Sequence, residues 1–89
     1  MIEKLQAITD HFGKYHQMIK LGEEVGELNK AILRYEDGYT RTTYEILEEL
    51  SDVYVLLAQI KQIYNLDEDE INMIMQMKVD RTIEKYYIE

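Results

Sequence analysis

Two groups of carboxylates lie inside the two most apolar stretches of the chain. The first group is in KLGEEVGELNKAI, from Lys20 to Ile32, and the second is in EELSDVYVLL, from Glu48 to Leu57. Aspartate and glutamate rarely lie among buried side chains unless another group offsets their charge. These acids therefore either point to solvent or hold a cation.

The acids of the second stretch can be placed on a helix at about 100° per residue. The apolar positions around Val53 cover one face of that helix, and Glu49 falls between two groups of them. Asp52 lies at the edge of the same face one turn further on, whereas Glu48 points away from it to solvent. Glu49 thus interrupts a face that is otherwise apolar.

The first stretch, read as a helix in the same way, places Glu24 at the border of its apolar face and Glu27 further out on the same flank. Glu23 falls on the opposite side and is expected to be a solvated surface acid. The i, i+3 spacing puts Glu24 above Glu27, and Glu49 above Asp52, on adjacent turns. If the two helices pack side by side, four carboxylates converge, and such a cluster requires raised pKa values or bound cations.

Carboxylate oxygens alone suit hard cations such as Mg²⁺ or Mn²⁺ and suit zinc poorly. A ferritin-like di-iron bundle requires Glu-x-x-His pairs, but His11 and His16 both precede the carboxylates. The stretch DEDEINMIMQMK lacks the glycine and the terminal glutamate of a calcium-binding loop. Periodicity alone leaves two interpretations open: a metal site, or an ordinary acidic flank with Glu49 in an unusual place.

The elements that must position these acids are helices, because the chain has no proline and only four glycines. Thr42 and Glu45 have the spacing of a capping box, which is expected to open the third helix. The apolar spacing and the stop signals predict four helices. These are Ile2 to Phe12, about Tyr15 to Glu36, a third helix that runs to about Asn65, and about Glu68 to Tyr86.

The predicted fold class is all-α, with a four-helix protomer built around a long central antiparallel hairpin that turns at Gly38. The 89 residues are expected to form one small domain, 1–89, and the absence of cysteine removes disulfides and thiolate zinc sites as sources of stability. The apolar faces of the hairpin are therefore expected to be covered by oligomerisation, which would complete a helical bundle.

The formal charge of −8, from 18 acidic and 10 basic residues, argues against nucleic-acid binding, which requires basic surface. It does not argue against a nucleotide ligand, because metal ions held by the acids would reverse the local sign. The opening residues MIEKLQAITD lack the features of a signal peptide, and no apolar run approaches 18 residues. A cytoplasmic protein that does not enter a membrane is the expectation.

Glu23-Glu24-x-x-Glu27 followed by Glu49-x-x-Asp52 resembles the signature of the all-α nucleoside triphosphate pyrophosphatases, the MazG-like superfamily. Three longer stretches are similar to that family and occur in its usual order: ITDHFGKYHQMIKLGEEVGELNKAI, EELSDVYVLLAQI and MKVDRTIEKY. The chain looks most like the short, single-domain members. The resemblance implies a homodimer or homotetramer that uses Mg²⁺ to hydrolyse a nucleoside triphosphate to the monophosphate and pyrophosphate.

The resemblance also implies roles for individual residues. Its metal ligands would be Glu24, Glu27, Glu49 and Asp52. Glu24 is in addition the candidate general base that takes a proton from the attacking water. Lys78 and Arg81, on the fourth helix, are candidates for phosphate binding. Gln17 and Phe12 are candidates for contact with the base, although helix packing is the favoured role for both.

Asp80 stands where family members often carry asparagine, which leaves recognition of the sugar and base open. The sequence therefore leaves two functions open: a pyrophosphohydrolase with an intact ligand set, and a non-catalytic helical dimer that binds metal, nucleotide or a protein partner. Gly22 and Gly26, one turn apart beside the first acidic motif, are expected to permit close approach of another helix.

Overall fold

The computed structural model describes all 89 residues, Met1–Glu89, and contains four α-helices and no strand. The helices are α1 (Ile2–Phe12), α2 (Lys14–Glu36), α3 (Tyr44–Tyr64) and α4 (Glu68–Lys85). The all-α fold class is therefore confirmed, and every predicted helix is present. None of the four combines the length and the apolarity that crossing a membrane requires.

The helix ends follow from local chemistry. Gly13 separates α1 from α2 with a φ of 94°, a backbone conformation that glycine adopts readily because it has no Cβ. Asn65 ends α3 in the left-handed conformation, with a φ of 51°. The carboxylate of Asp67 accepts the Glu70 backbone N–H at 3.1 Å, which caps the start of α4.

The predicted capping box at the start of α3 is wrong. The residue at the N-cap position is Thr43, and its side chain makes no capping hydrogen bond. Thr42 Oγ1 instead accepts the Tyr44 backbone N–H at 3.4 Å. Glu45 turns away from the backbone and forms an ion pair with Arg34, whose Nε lies 3.3 Å from Glu45 Oε1. The Glu45 carboxylate therefore pairs with Arg34 of α2 and not with the backbone N–H that the local pattern predicted.

Helices α2 and α3 pack along each other, and α1 packs against both. Near the start of α2, Gln17 Nε2 donates to Gln59 Oε1, near the end of α3, at 3.0 Å. Near the end of α2, Arg34 pairs with Glu45 in the first turn of α3. The buried apolar side chains among these three helices are Leu5, Ala31, Val53 and Leu56.

The face that α3 buries differs from the predicted one. Val53, Leu56 and Gln59 are buried, whereas Leu57, placed near the centre of the predicted face, is 45% exposed. At 100° per residue the buried stripe is rotated by about 60° from the predicted centre, toward Glu49. This rotation brings the acidic residues of α3 against α2 and leaves part of the apolar face of α3 uncovered.

Helix α4 packs against none of the other three helices and buries none of its residues. An ion pair between Lys61 Nζ and Glu68 Oε2, 2.7 Å apart, joins its first turn to α3. Six large apolar side chains of α4 are exposed to solvent: Met73, Ile74, Met75, Met77, Val79 and Ile83.

The chain is correspondingly open. It exposes 7516 Å², whereas a compact monomer of its mass would expose about 5,500 Å². Its radius of gyration is 16.3 Å, compared with about 12 Å for a compact domain of this length. Gly22 and Gly26 also lie in open space, because a Cβ at either position would meet no atom within 4 Å. The prediction of a close helix approach at these glycines is wrong for the single chain.

Candidate metal centre

Helices α2 and α3 bring three carboxylates together. Glu24 projects from α2, and Glu49 and Asp52 project from adjacent turns of α3, so that one carboxylate oxygen of each lies within 4.8 Å of the other two. Oxygens on opposite sides of a bound Mg²⁺ are about 4.2 Å apart. Small side-chain rotations would therefore bring all three groups to ligand distance. An all-oxygen donor set of this kind fits a hard divalent cation.

The electrostatic surroundings of Glu49 are unfavourable to its own charge. Partial burial raises the pKa of Glu49, and the negative charges of Asp52, Glu24, Glu27 and Glu48 raise it further, in that order. The charged form of Glu49 is thus disfavoured in the metal-free protein. A bound divalent cation would remove the repulsion, because it offers the opposite charge to every one of these carboxylates.

Glu27 lies outside the group of three. Its side chain is exposed, and its charge raises the pKa of Glu49. The structure therefore brings together three of the four predicted ligands, with the fourth on the flank. Glu23 and Glu48 are both exposed, as predicted.

Lys20 is the cation paired with this cluster. Its Nζ lies 3.2 Å from Glu24 Oε1, and the Glu24 side chain is only 16% exposed. Lys20 was not among the predicted site residues, although its i, i+4 spacing to Glu24 is the spacing at which helical ion pairs form. The cluster thus contains one ammonium group against three carboxylates.

A cleft of about 500 Å³ lies between α1, α2 and α3, with Glu24 and Asp52 in its wall. This volume falls in the range of small-molecule sites, about 300–1,000 Å³. The other polar residues of the wall are His16, Gln17, Lys20 and Gln59. The apolar residues of the wall are Ile8, Phe12, Val55 and Leu56.

A hydrogen-bond network forms part of the wall and has only one consistent orientation. The Leu5 carbonyl can only accept, and Gln59 Nε2 donates to it at 3.3 Å and to Thr9 Oγ1 at 3.1 Å. Gln59 Oε1 must then accept from Gln17 Nε2. Gln17 Oε1 is left to accept from His16 Nδ1, 2.8 Å away. One backbone carbonyl therefore sets two amide orientations and places the proton of His16 on Nδ1.

The rings of Phe12 and His16 stack at one end of the cleft, with centroids 5.0 Å apart and planes inclined by 17°. Phe12 is 53% exposed, so this pair offers an accessible aromatic surface. Gln17 is only 4% exposed and holds α2 to α3 through Gln59. Gln17 therefore has a packing role, and it also lines the cleft beside the aromatic pair.

The two basic candidates on α4 lie apart from this site. Lys78 and Arg81 are exposed, and α4 does not pack against the helices that form the cleft. Gln59, by contrast, belongs to the wall and was not identified from the sequence. Its spacing of seven residues from Asp52 places it on the same side of α3, two turns on. That spacing is the signal that could have identified it.

No protein-family model, curated protein or solved structure matches this chain. The MazG-like resemblance therefore stays a prediction that rests on the two acidic motifs, their spacing and the order of the surrounding stretches.

Proposed function

We propose that this protein is a Mg²⁺-dependent nucleoside triphosphate pyrophosphohydrolase of the MazG-like type, which removes unwanted nucleotides from the cytoplasmic pool. One observation carries the proposal: the carboxylates of Glu24, Glu49 and Asp52 converge within 4.8 Å, and two of them form the wall of a cleft of nucleotide size. Carboxylate clusters beside such clefts are the usual means of binding Mg²⁺ together with phosphates.

In this proposal Glu24, Glu49 and Asp52 hold the metal directly, and Glu27 completes the set from the flank. Bound Mg²⁺ (or Mn²⁺) would neutralise triphosphate charge and lower the pKa of a bound water. Glu24 takes a proton from the attacking water. A bond forms between the water oxygen and the α-phosphorus, the bond from that phosphorus to the bridging oxygen breaks, and pyrophosphate leaves with that oxygen.

The nucleoside would occupy the other end of the cleft. The stacked rings of Phe12 and His16 are exposed there, and a base has flat faces that stack on such rings. Gln17 would then be a base contact as well as a packing residue. Since the cleft passes from acids to aromatic rings, its two ends match the charged and the flat parts of a nucleotide.

Assembly is part of the proposal. The contacts at both ends of α2 and α3 support an antiparallel hairpin. The chain exposes about 2,000 Å² more than a compact monomer would, which is comparable to a whole standard interface. We therefore propose a homodimer or homotetramer in which α4 packs against another copy, and in which Lys78 and Arg81 meet the phosphates of a bound nucleotide.

A second function is a non-catalytic helical dimer that binds metal and nucleotide, or a protein partner, without turnover. The observation that favours it is the position of Lys78 and Arg81 on a helix that packs against no element of the cleft. Without those cations in place, the triphosphate would have fewer groups to neutralise its developing charge. Asp80, next to them in the chain, adds a further negative charge.

The reaction can be tested with the purified protein, Mg²⁺ and a panel of ribo- and deoxyribonucleoside di- and triphosphates. Pyrophosphate release by the parent, lost in Glu49→Gln and kept in Glu48→Gln, would support the enzyme. Orthophosphate release from a triphosphate would contradict the proposed bond cleavage, whereas a diphosphate cleaved at the same α-phosphorus bond would itself release orthophosphate. Nucleotide binding without release of either product would support the non-catalytic dimer.

The metal site can be tested without any substrate. A ligand that binds only the folded state raises the free energy of unfolding, by about 2.7 kcal/mol at a hundred times its dissociation constant. Thermal melts in EDTA and in excess Mg²⁺ should show this gain for the parent. Glu49→Gln should lose most of the gain, whereas Glu48→Gln should keep it. An equal Mg²⁺ response in all three proteins would contradict the assigned site.

A further inference from the structure

Lys20 lies where the acidic cluster meets the cleft. Its Nζ is 3.2 Å from Glu24 Oε1, and its side chain is 45% exposed. Among the lysines and arginines of the chain, Lys20 alone lines the cleft. It lies one turn of α2 from Glu24 and one turn from His16, a rise of about 6 Å in each direction. Lys20 is therefore situated between the acidic end and the aromatic end.

We propose that Lys20 exchanges partners: it pairs with Glu24 in the metal-free protein and with a nucleotide phosphate once a divalent cation is bound. This inference rests on the proposed function. A metal ion coordinated by Glu24 uses the oxygen lone pairs that Lys20 now approaches, and it repels the ammonium group. Both effects displace Lys20 from Glu24. A lysine side chain has a flexible four-carbon stem and can follow a new anion without moving the helix.

The new anion would be the phosphate chain. A nucleotide that reaches from the acidic cluster to Phe12 and His16 must pass the turn that carries Lys20. In the single chain Lys78 and Arg81 lie on the separate α4, so Lys20 is the one ammonium group in the wall of the cleft. Lys20 thus protects the empty cluster from its own repulsion and later helps to hold the substrate.

The test is a pair of binding measurements on the full chain at constant ionic strength. Lys20→Met keeps most of the stem and removes the charge. Mg²⁺ alone should bind this variant about two- to fivefold more tightly than the parent, because the competing ammonium is gone. Inorganic tripolyphosphate at saturating Mg²⁺ should bind it at least about tenfold more weakly. Opposite shifts of this kind would not result from a general loss of structure.

Lys61→Met is the matched control. Lys61 also forms an ion pair with a glutamate, Glu68, and its side chain is 40% exposed, but it lies outside the cleft of Lys20. This variant should leave both affinities unchanged. Lys20→Arg retains the charge, and tripolyphosphate should bind it within a few fold of the parent.

The outcomes separate this inference from the proposed function. Unchanged or weaker Mg²⁺ binding by Lys20→Met, or unchanged tripolyphosphate binding, overturns the exchange of partners and leaves the metal site standing. A parent that binds no Mg²⁺ overturns both. The predicted opposite shifts, found in a parent that releases no pyrophosphate from any nucleotide, support the exchange and contradict only the catalytic activity.

Discussion

The part of the molecule formed by α1, α2 and α3 has an interior that is partly polar, whereas α4 has an apolar surface. Three of the seven buried residues carry polar side chains, namely Thr9, Gln17 and Gln59. Helix α4, by contrast, buries nothing and leaves side chains such as Ile74 and Met77 in solvent. Hydrogen bonds between buried groups hold the cleft together within one chain. The apolar side chains of α4 have no surface to pack against in that chain, and we expect a second copy to cover them.

This contrast separates two requirements of the proposed function. The proposed metal ligands, the cleft and Lys20 are assembled by the three packed helices, and they can be tested in substitutions that leave α4 alone. The placement of Lys78 and Arg81 depends on what covers α4. Exposed apolar patches of this extent are typical of interaction surfaces.

The largest effect is expected within the acidic cluster. Asp52→Asn should reduce pyrophosphate release by at least about a hundredfold. Substitution of a residue that only supports a metal ligand already lowers metal affinity or activity about ten- to a hundredfold. Glu48→Gln, on the solvent side of the same helix, should change the rate by less than about twofold. Steady-state assays on both variants measure the difference, and equal losses would show that the helical register assigned to α3 is incorrect.

The next effect concerns α4. Light scattering of the parent at micromolar concentration should give at least twice the 10.7 kDa mass of the chain. Ile74→Glu places a charge among the apolar side chains that we expect to be covered, and it should shift the protein toward monomers. Asn72→Glu, about 160° round the helix, is the control and should keep the parent mass. A monomeric parent would contradict the proposed assembly, because no second copy would then cover the apolar side chains of α4.

The buried hydrogen-bond network among α1, α2 and α3 can be disrupted by a substitution at Gln59. Gln59→Ala removes the acceptor of Gln17 Nε2 and the amide that donates to the Leu5 carbonyl and to Thr9 Oγ1, and it should lower the free energy of unfolding by about 2–3 kcal/mol. Thr9 Oγ1 still donates to the Leu5 carbonyl in this variant. Gln62→Ala is the matched control, because Gln62 also joins α3 to an α1 carbonyl, that of Ile2. That bond is exposed, so its loss should cost about 1 kcal/mol or less. Urea unfolding of both variants measures the two values, and equal costs would contradict a special role for the buried network.

The smallest effect is a pH dependence at Glu49. The pKa of Glu49 is raised in the folded protein above its ordinary value of 4.5, so the folded state holds this proton more tightly than the unfolded chain. Above the raised pKa the carboxylate therefore destabilises the metal-free fold, and this penalty disappears as the pH falls through the raised value toward 4.5.

Glu49→Gln in EDTA should accordingly melt at a higher temperature than the parent at pH 7, and the difference should narrow as the pH falls through that window. Glu48→Gln should show little of either behaviour. Melts across a pH series provide the measurement. A lower melting temperature for Glu49→Gln at neutral pH would show that the carboxylate is favourably bound in the metal-free protein.

Much of the local structure could be predicted because its causes are local. The period of the apolar residues, Gly13, Asn65 and the Asp67 cap lie within a few residues of what they control. The exposure of Glu48 followed from its angle on one helix. The predicted capping box failed because the N-cap of α3 is Thr43, one residue later than the pattern assumed, so Glu45 does not have the capping-box spacing and pairs with Arg34.

The candidate site could be predicted in part for the same reason. The i, i+3 spacing placed Glu49 and Asp52 on one side of α3, but it contained no information about which α2 residues would face them. The structure brings Glu24 to them and leaves Glu27 on the flank. Gln59 was missed because it became part of the site through contacts with groups 42 to 54 residues away in the chain. The Lys20–Glu24 pair is local, with i, i+4 spacing, so its cause was already present in the sequence.

The sequence by itself determined four helices, their ends to within a residue, and a pair of acidic motifs suited to a hard cation. Hydrogen bonding and the side-chain period along one helix decide these properties, and both depend only on residues that are close in sequence. The tertiary structure alone decided which side of each helix faces inward. The buried face of α3 lies about 60° toward Glu49 from the predicted centre, because the groups that hydrogen-bond to Gln59 come from α1 and α2, and Leu57 stays exposed.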